Sequence, residues 1–282
     1  MALEKWIVQP GEARLIDLEL VRTLKVGLIG GQIDIIGHDE PTARVEVHSV
    51  HGKDLKVMID GDRLEIDHPQ LRWDNFLEVF TSWTGRTAKA EISVLVPRDI
   101  HLTFGMVSAS ALVSGLNTSG RLSTVSGELQ LEGIVGDIEV NSVSGELSVQ
   151  SHSGRITAHT VSGAITAAGT ITRFSSDSVS GDVFVDVSGR CDRIQTNSVS
   201  GDVMVRLDDG LGARYNVNTV SGRLQLDGNV VTGTRGRGYA STVQGNDGFF
   251  VDVNVNSVSG NVVVLRRKPA PAAGERTREH QS

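Results

Sequence analysis

Apolar and polar residues alternate in short, evenly repeated runs through the second half of the chain. From Gly127 the aliphatics fall at Leu129, Leu131 and Ile134; from Gly136 at Ile138, Val140 and Val143; from Gly154 at Ile156, Ala158 and Val161; and from Gly201 at Val203 and Val205. The unit is a nonapeptide that usually begins with glycine and carries aliphatics two, four and, less strictly, seven places later. Alternation over so short a run, closed by a turn, predicts a strand with one buried face and one wet face. The residue at plus seven is expected to point back into the same interior from the turn.

Nine Val-Ser-Gly tripeptides mark the pattern, with glycines at Gly115, Gly127, Gly145, Gly163, Gly181, Gly189, Gly201, Gly222 and Gly260. The steps from Gly127 to Gly181 are 18 residues each, so two nonapeptides make one repeat. Units starting at Thr172, Asp192, Ala213 and Val251 lack the glycine but keep the interior: Phe174 and Val179, Ile194 and Val199, Tyr215 and Val220, Val253 and Val258. Beside bulky Phe174 the next inward place holds Ser176, as filling a narrow core at constant volume requires. A unit this short cannot bury its apolar face alone, so the units must stack. The prediction is an all-β, single-chain β-solenoid with coils of roughly 18–21 residues and two strands per coil. Thirteen units from Gly127 to Gly260 make about six and a half coils, roughly 30 Å of stack at about 4.8 Å per coil.

Turn chemistry explains the remaining repeated residues. Glycine at a corner tolerates positive φ. Two places before the valine stand Asn141, His159, Asp177, Asn197, Asn218 and Asn256, side chains tolerant of left-handed backbone. The serine of each tripeptide can bond the local backbone and close the corner. No helix follows these glycines, so they do not form a phosphate cradle.

The first hundred residues alternate less regularly, at Arg14 to Leu20, Leu24 to Ile36, Arg44 to Val50, Leu55 to Ile59, Arg63 to Ile66 and Glu91 to Val96. Gly31, Ile33 and Ile35 already follow the nonapeptide rule. The organisation expected is a strand-rich N-terminal region over 1–100, continuous with the solenoid and interrupted by an excursion at 69–86, then regular solenoid over 101–265. The excursion carries Trp73, Phe76, Phe80 and Trp83 and reads as a cap or lid. A glycine-rich insertion at 227–248 is expected to be a flexible loop inside the stack. Asn261 to Leu265 reads as the last, edge strand, followed by a disordered tail over 266–282 whose basic residues and proline oppose pairing.

Composition narrows the class. Thirty-two glycines, few aromatics and no proline between Pro97 and Pro269 suit strands that donate hydrogen bonds on both edges. A net charge of -7 argues against general nucleic-acid binding. The single cysteine, Cys191, excludes an internal disulfide and reads as a small turn residue. With no signal-like N-terminus, anchor or apolar transmembrane segment visible, a cytoplasmic location is expected.

The strand-rich N-terminus closed by Val96-Pro97, followed by Ser-Gly-Asp/Glu-aliphatic repeats, resembles the bacterial putative-adhesin family, a β-strand-repeat domain of unknown function. The residues that carry the resemblance are Val125-Ser126-Gly127-Glu128-Leu129, Val179-Ser180-Gly181-Asp182-Val183 and Val199-Ser200-Gly201-Asp202-Val203, and it extends from about Trp6 to Leu265. It implies a β-solenoid with no established enzymatic activity, and some similar proteins are linked to envelope-stress responses.

If inward positions carry the fold, function belongs to outward ones. At plus one, one strand offers Glu128, Glu146, Ala164, Asp182 and Asp202, an acidic stripe. The other offers Asp137 and then Arg155, Arg173, Arg193 and Arg214, an arginine row that could dock an anionic polymer, an acidic partner or the acidic stripe of another copy. At plus three, Phe184 and Met204 should be adjacent and exposed, a candidate homodimer contact. His48 and His51 lack the companions a metal site needs, and the turns lack the glycine-aspartate ligands of calcium-binding β-rolls, so no metal or cofactor is expected. The reading is a non-enzymatic scaffold or interaction module with an unknown protein or anionic partner. The alternatives are an adhesin-like surface binding protein and a solenoid carbohydrate-active enzyme; neither excursion offers the paired carboxylates that the enzyme would need.

Overall fold

A computed structural model describes residues 3–69, 88–231, 238–246 and 248–267. The chain is all-β, with twenty-two strands among the described residues. The inward pairs predicted from alternation are buried: Leu129 with Leu131, Ile138 with Val140, Ile156 with Ala158, and Val203 with Val205. Phe174 fills its layer completely, and the small neighbour Ser176 is buried too, donating from its Oγ to Thr196 Oγ1 at 3.2 Å.

Parallel ladders build two faces. The first stacks, in spatial order, β6 (Arg63–Asp67), the front half of β3 (Thr23–His38), the front half of β8 (His101–Ser114), β9 (Gly120–Ser126) and β11 (Ile138–Ser142). It continues with the rear halves of β12 (Glu146–Ser162) and β13 (Ile165–Ser180), then β15 (Arg193–Ser200), β21 (Phe250–Ser259) and β17 (Gly212–Ser221). The second face stacks β7 (Lys89–Pro97), the rear halves of β3 and β8, β10 (Glu128–Glu132), the front halves of β12 and β13, β14 (Val183–Val187), β16 (Val203–Asp208), β22 (Val262–Arg267) and β18 (Leu224–Leu226). Each strand of the first face leads along the chain into its layer mate on the second. Ten layers at about 4.8 Å make a stack of about 43 Å.

Antiparallel strands finish both ends, so no long parallel edge is left open. Beyond β6 lie β5 (Leu55–Asp60) and β1 (Glu4–Val8), and beyond β7 lie β4 (Ala43–His51) and β2 (Arg14–Leu18). At the far end β20 (Gly238–Val243) covers β17, and β19 (Asn229–Val231) covers β18. The 227–248 insertion therefore supplies terminal strands rather than a flexible loop inside the stack. The excursion expected at 69–86, with its four aromatics, lies outside the described residues apart from Pro69.

Layer order departs from chain order at both ends. β3, the first layer in sequence, sits between the β6/β7 layer and β8. β21 and β22, the last in sequence, sit between β15/β16 and β17/β18. Asn261 to Leu265 is thus not an edge strand, and Arg266 and Arg267 continue it rather than opening a tail. Both arginines are anchored. Arg266 Nε donates to Asp227 Oδ1 at 2.8 Å and its Nη2 to the Tyr215 hydroxyl at 2.8 Å, while Tyr215 donates to Asp227 Oδ2 at 2.9 Å. Arg206 and Arg267 both grip the buried Asp186 and hold its carboxyl below the usual range.

Glycines set how closely layers approach. At Gly163, Gly181, Gly201, Gly260 and Gly222 an added Cβ would land on the carbonyl oxygen of the glycine one layer away. Gly181 also has φ +131°, which side chains rarely adopt. Gly181→Ala is expected to cost about 2–4 kcal/mol in urea denaturation, combining backbone strain with steric overlap. A second test concerns His68, fully buried, whose Nδ1 accepts from the Ile29 N–H at 3.3 Å; burial pushes its pKa down to about 4. The unfolded chain takes up this proton near pH 6.5 and the folded chain only near 4, so stability falls as pH drops between them. His68→Asn should flatten that slope relative to the wild type, by on the order of 3 kcal/mol between pH 7 and pH 4, read from denaturation midpoints.

Candidate functional site

The valines of Val-Ser-Gly were expected inside, and they are outside. Val161, Val179, Val199, Val220 and Val258 are 49–58 % exposed. Strand continuity is the cause: β12, β13, β15, β17 and β21 each run on to the serine of the tripeptide, so alternation persists past plus four. The residue at plus six therefore turns inward and the valine at plus seven outward. Those plus-six residues, Ser142, Thr160, Ser178, Ser198, Thr219 and Ser257, are buried. At the first of these corners the bond comes from the plus-six serine: Gly145 N donates to Ser142 Oγ at 2.9 Å, whereas Ser144 Oγ reaches across to Val125 O at 3.1 Å in the adjacent layer.

The polar residues two places before the valine are also not the left-handed turn residues expected. Among the described non-glycine residues only Ser151 and Asp227 have positive φ. Extended backbone instead holds Asn, Asp and His side chains in a column parallel to the valines. Asn218 Nδ2 donates to Asn256 Oδ1 at 2.8 Å, Asn256 Nδ2 to Asn197 Oδ1 at 2.8 Å, and Asn197 Nδ2 to Asp177 Oδ1 at 2.7 Å. His159 Nδ1 lies 3.1 Å from Asp177 Oδ2 and carries the ladder to the next rung. All three amides point the same way along the stack, toward the one carboxylate.

Valine column and amide ladder enclose a groove of about 620 Å³ floored by the strands between them. It runs from Asn141 to Asn218 across six layers, about 24 Å. One wall is aliphatic and the other mostly neutral amide, with Asp177 and His159 the ionisable residues among its described lining. Such a strip can bind by burying methyl groups while meeting polar atoms along one edge. The signal for it was present in the sequence as strand parity.

The other outward candidates fall differently. Arg155, Arg173 and Arg193 are successive partners in register, but Asp252 sits between Arg193 and Arg214, so the arginine row is interrupted. Arg155 lies 3.9 Å from Asp137, and Arg214 lies 3.4 Å from Asp252 and over the Phe250 ring. The two aspartates of the acidic stripe serve the ladder: Asp182 Oδ1 accepts from the Asp202 N–H and Asp202 Oδ1 from the Asn261 N–H, both at 2.8 Å, tying the β14, β16 and β22 layers together. Phe184 and Met204 are register partners, as predicted; Met204 is exposed, but Phe184 is half-buried with Arg206 over its ring. Burial pushes the Cys191 thiol up to about 12, which keeps it protonated. His48 Nε2 bonds Ser93 Oγ at 2.8 Å, and among the described residues no group of three or more His, Cys, Asp or Glu is placed to hold a metal ion.

The ladder's polarity generates a test. Asn197→Asp replaces the donor facing Asp177 with a second carboxylate one layer away. A loss of about 1–2 kcal/mol is expected at pH 7, recovered as pH falls through the carboxylate range and one member of the pair takes a proton. Denaturation at pH 7 and pH 4 against the wild type measures both parts.

Comparison with known proteins places the architecture. No curated protein matches the chain. A protein from Parabacteroides distasonis described as a putative lipid binding protein is 12% identical, with TM-score 0.50 over 92% of this chain and 98% of that one. A putative adhesin from the same species is 14% identical, TM-score 0.46, covering 90% and 96%. One from Bacteroides fragilis is 12% identical, TM-score 0.37, covering 92% and 99%. At these identities only the first supports an argument, and that argument is for fold alone. The family model described as Toastrack DUF4097 matches residues 22–265, which takes in the strand stack and the whole groove: the chain belongs to the Toastrack DUF4097 family, whose molecular function is unknown.

Proposed function

We propose that the chain is a non-enzymatic β-solenoid scaffold of the putative-adhesin type, and that its groove between valine column and amide ladder is the strip on which a protein partner docks. The observation that carries this reading is the exposure of five stacked valines, each near half, in one line. Isolated exposed aliphatics need no explanation, but a contiguous apolar line marks an interaction surface. The arginine row is a weaker candidate because Asp137 and Asp252 are paired with its ends.

Two mechanisms of docking differ in salt dependence. Contact through the valines should survive moderate salt, whereas contact through the arginines should fade as screening shortens. The test is capture from an extract of the native cell by the immobilised chain, beside the double variant Val179→Asp, Val199→Asp. Both positions are solvent-facing, so the melting temperature should stay within a few degrees while capture falls at least tenfold at both salt levels. Capture that is unchanged in the double variant, or lost by salt alone, overturns the reading.

A further inference from the structure

The valine column does not begin at Val161. In register, Ile29, Val107, Val125 and Val143 continue the same line through the earlier layers. There Ile29, Val107 and Val125 form a small buried cluster with Ala88, and the half-covered Val143 packs against it. The exposed half is the same apolar seam where no segment of the described chain lies across it.

Spacing decides what fits. The valines repeat at the layer distance, about 4.8 Å. An α-helix laid along them repeats every 5.4 Å and would be out of phase by about 2–3 Å after five rungs. A single extended strand places same-side residues about 6.6 Å apart and fails sooner. Another stack of parallel strands keeps phase over any length, and a second copy of this chain has that period and the same exposed line of valines.

We propose that the exposed valine column docks against the same column of a second copy of this chain, the two stacks running antiparallel about a two-fold axis at Val199. The inference rests on the docking-strip reading above and names its partner. A two-fold axis across the stacks sets valine column on valine column and amide ladder on amide ladder, a self-complementary contact that closes on itself as a dimer. Antiparallel direction follows from the amide ladder. Its dipoles are aligned from Asn218 toward Asp177, so reversal opposes them. With Val199 central, Asp177 of one copy meets the rung of Asn256 in the other; parallel stacks would set Asp177 against Asp177. The strip is one groove wide, at the small end of specific interfaces, so the expected Kd is weak, on the order of 100 μM.

Sedimentation equilibrium of the full chain up to about 1 mM should show a monomer–dimer equilibrium, and Val199→Asp, which places two carboxylates face to face on the axis, should raise Kd at least tenfold. Oxidative cross-linking gives the direction. Val199→Cys meets itself and should form a disulfide dimer quickly, Val161→Cys should not because it opposes Val220, and Met204→Cys on the other face should not; native Cys191 is buried. The inference is overturned by a chain monomeric throughout, by a dimer indifferent to Val199→Asp, or by Val161→Cys or Met204→Cys linking as fast as Val199→Cys. A monomeric chain that still loses captured protein in the Val179→Asp, Val199→Asp variant overturns self-docking alone and leaves the docking strip standing.

Discussion

Everything outward and inward in this molecule depends on one constraint: backbone hydrogen bonding that holds each layer in strict register with the next. Parallel pairing at about 4.8 Å means that a choice made at one position is met by the choice one layer above and below. The consequence is columns. Aliphatics stack inside, glycine stacks on glycine carbonyl, and an Asp or Asn at plus one caps the N–H of the following layer. Asn is a good residue for such a column because its amide donates in one direction and accepts from the other, which a charged side chain cannot do. Where a carboxylate enters, at Asp177, a donor from Asn197 and the ring of His159 lie on either side of it.

The same constraint separates what could be read from the sequence from what could not. Interior pairs such as Ile138 with Val140 were legible because period-two alternation fixes them without reference to neighbours. Register partners within the regular run, Phe184 with Met204, were legible because equal spacing along the chain is equal position across layers. The valines were not legible because a strand ending after plus four leaves plus seven to the turn, whereas the strands run on to plus eight and unbroken alternation puts plus six inside and plus seven outside. The arginine row was misread for a different reason. Repeat spacing says that two layers are alike and nothing about which is next to which, so Asp252, distant in sequence, could come between Arg193 and Arg214.

Satisfaction of polar groups sorts the outward columns by their availability. At plus one, Asp137, Asp182 and Asp202 accept ladder bonds and Arg155 and Arg214 pair across layers, and exposed pairs of that kind contribute little on their own. The valines have nothing to pair with, and over the first layers of the column the fold itself covers them. Function is therefore easiest to place where the stack repeats its fold without supplying the cover.

The displaced layers at the two ends change how the molecule can come apart. A stack whose layers follow chain order can fray from its end by peeling the last repeat, each step costing one interface. Here β21 and β22 are wedged beneath β17 and β18, and β3 is wedged likewise at the other end. Withdrawing either inserted layer parts two interfaces at once, and leaving it in place keeps the outermost layer attached. During synthesis the reverse holds: β17 and β18 emerge before the strands that belong under them, so their inner edges wait unpaired until β21 and β22 arrive. Assembly completes by intercalation, a non-local step of the kind that slows folding, and the finished stack resists unravelling from its ends.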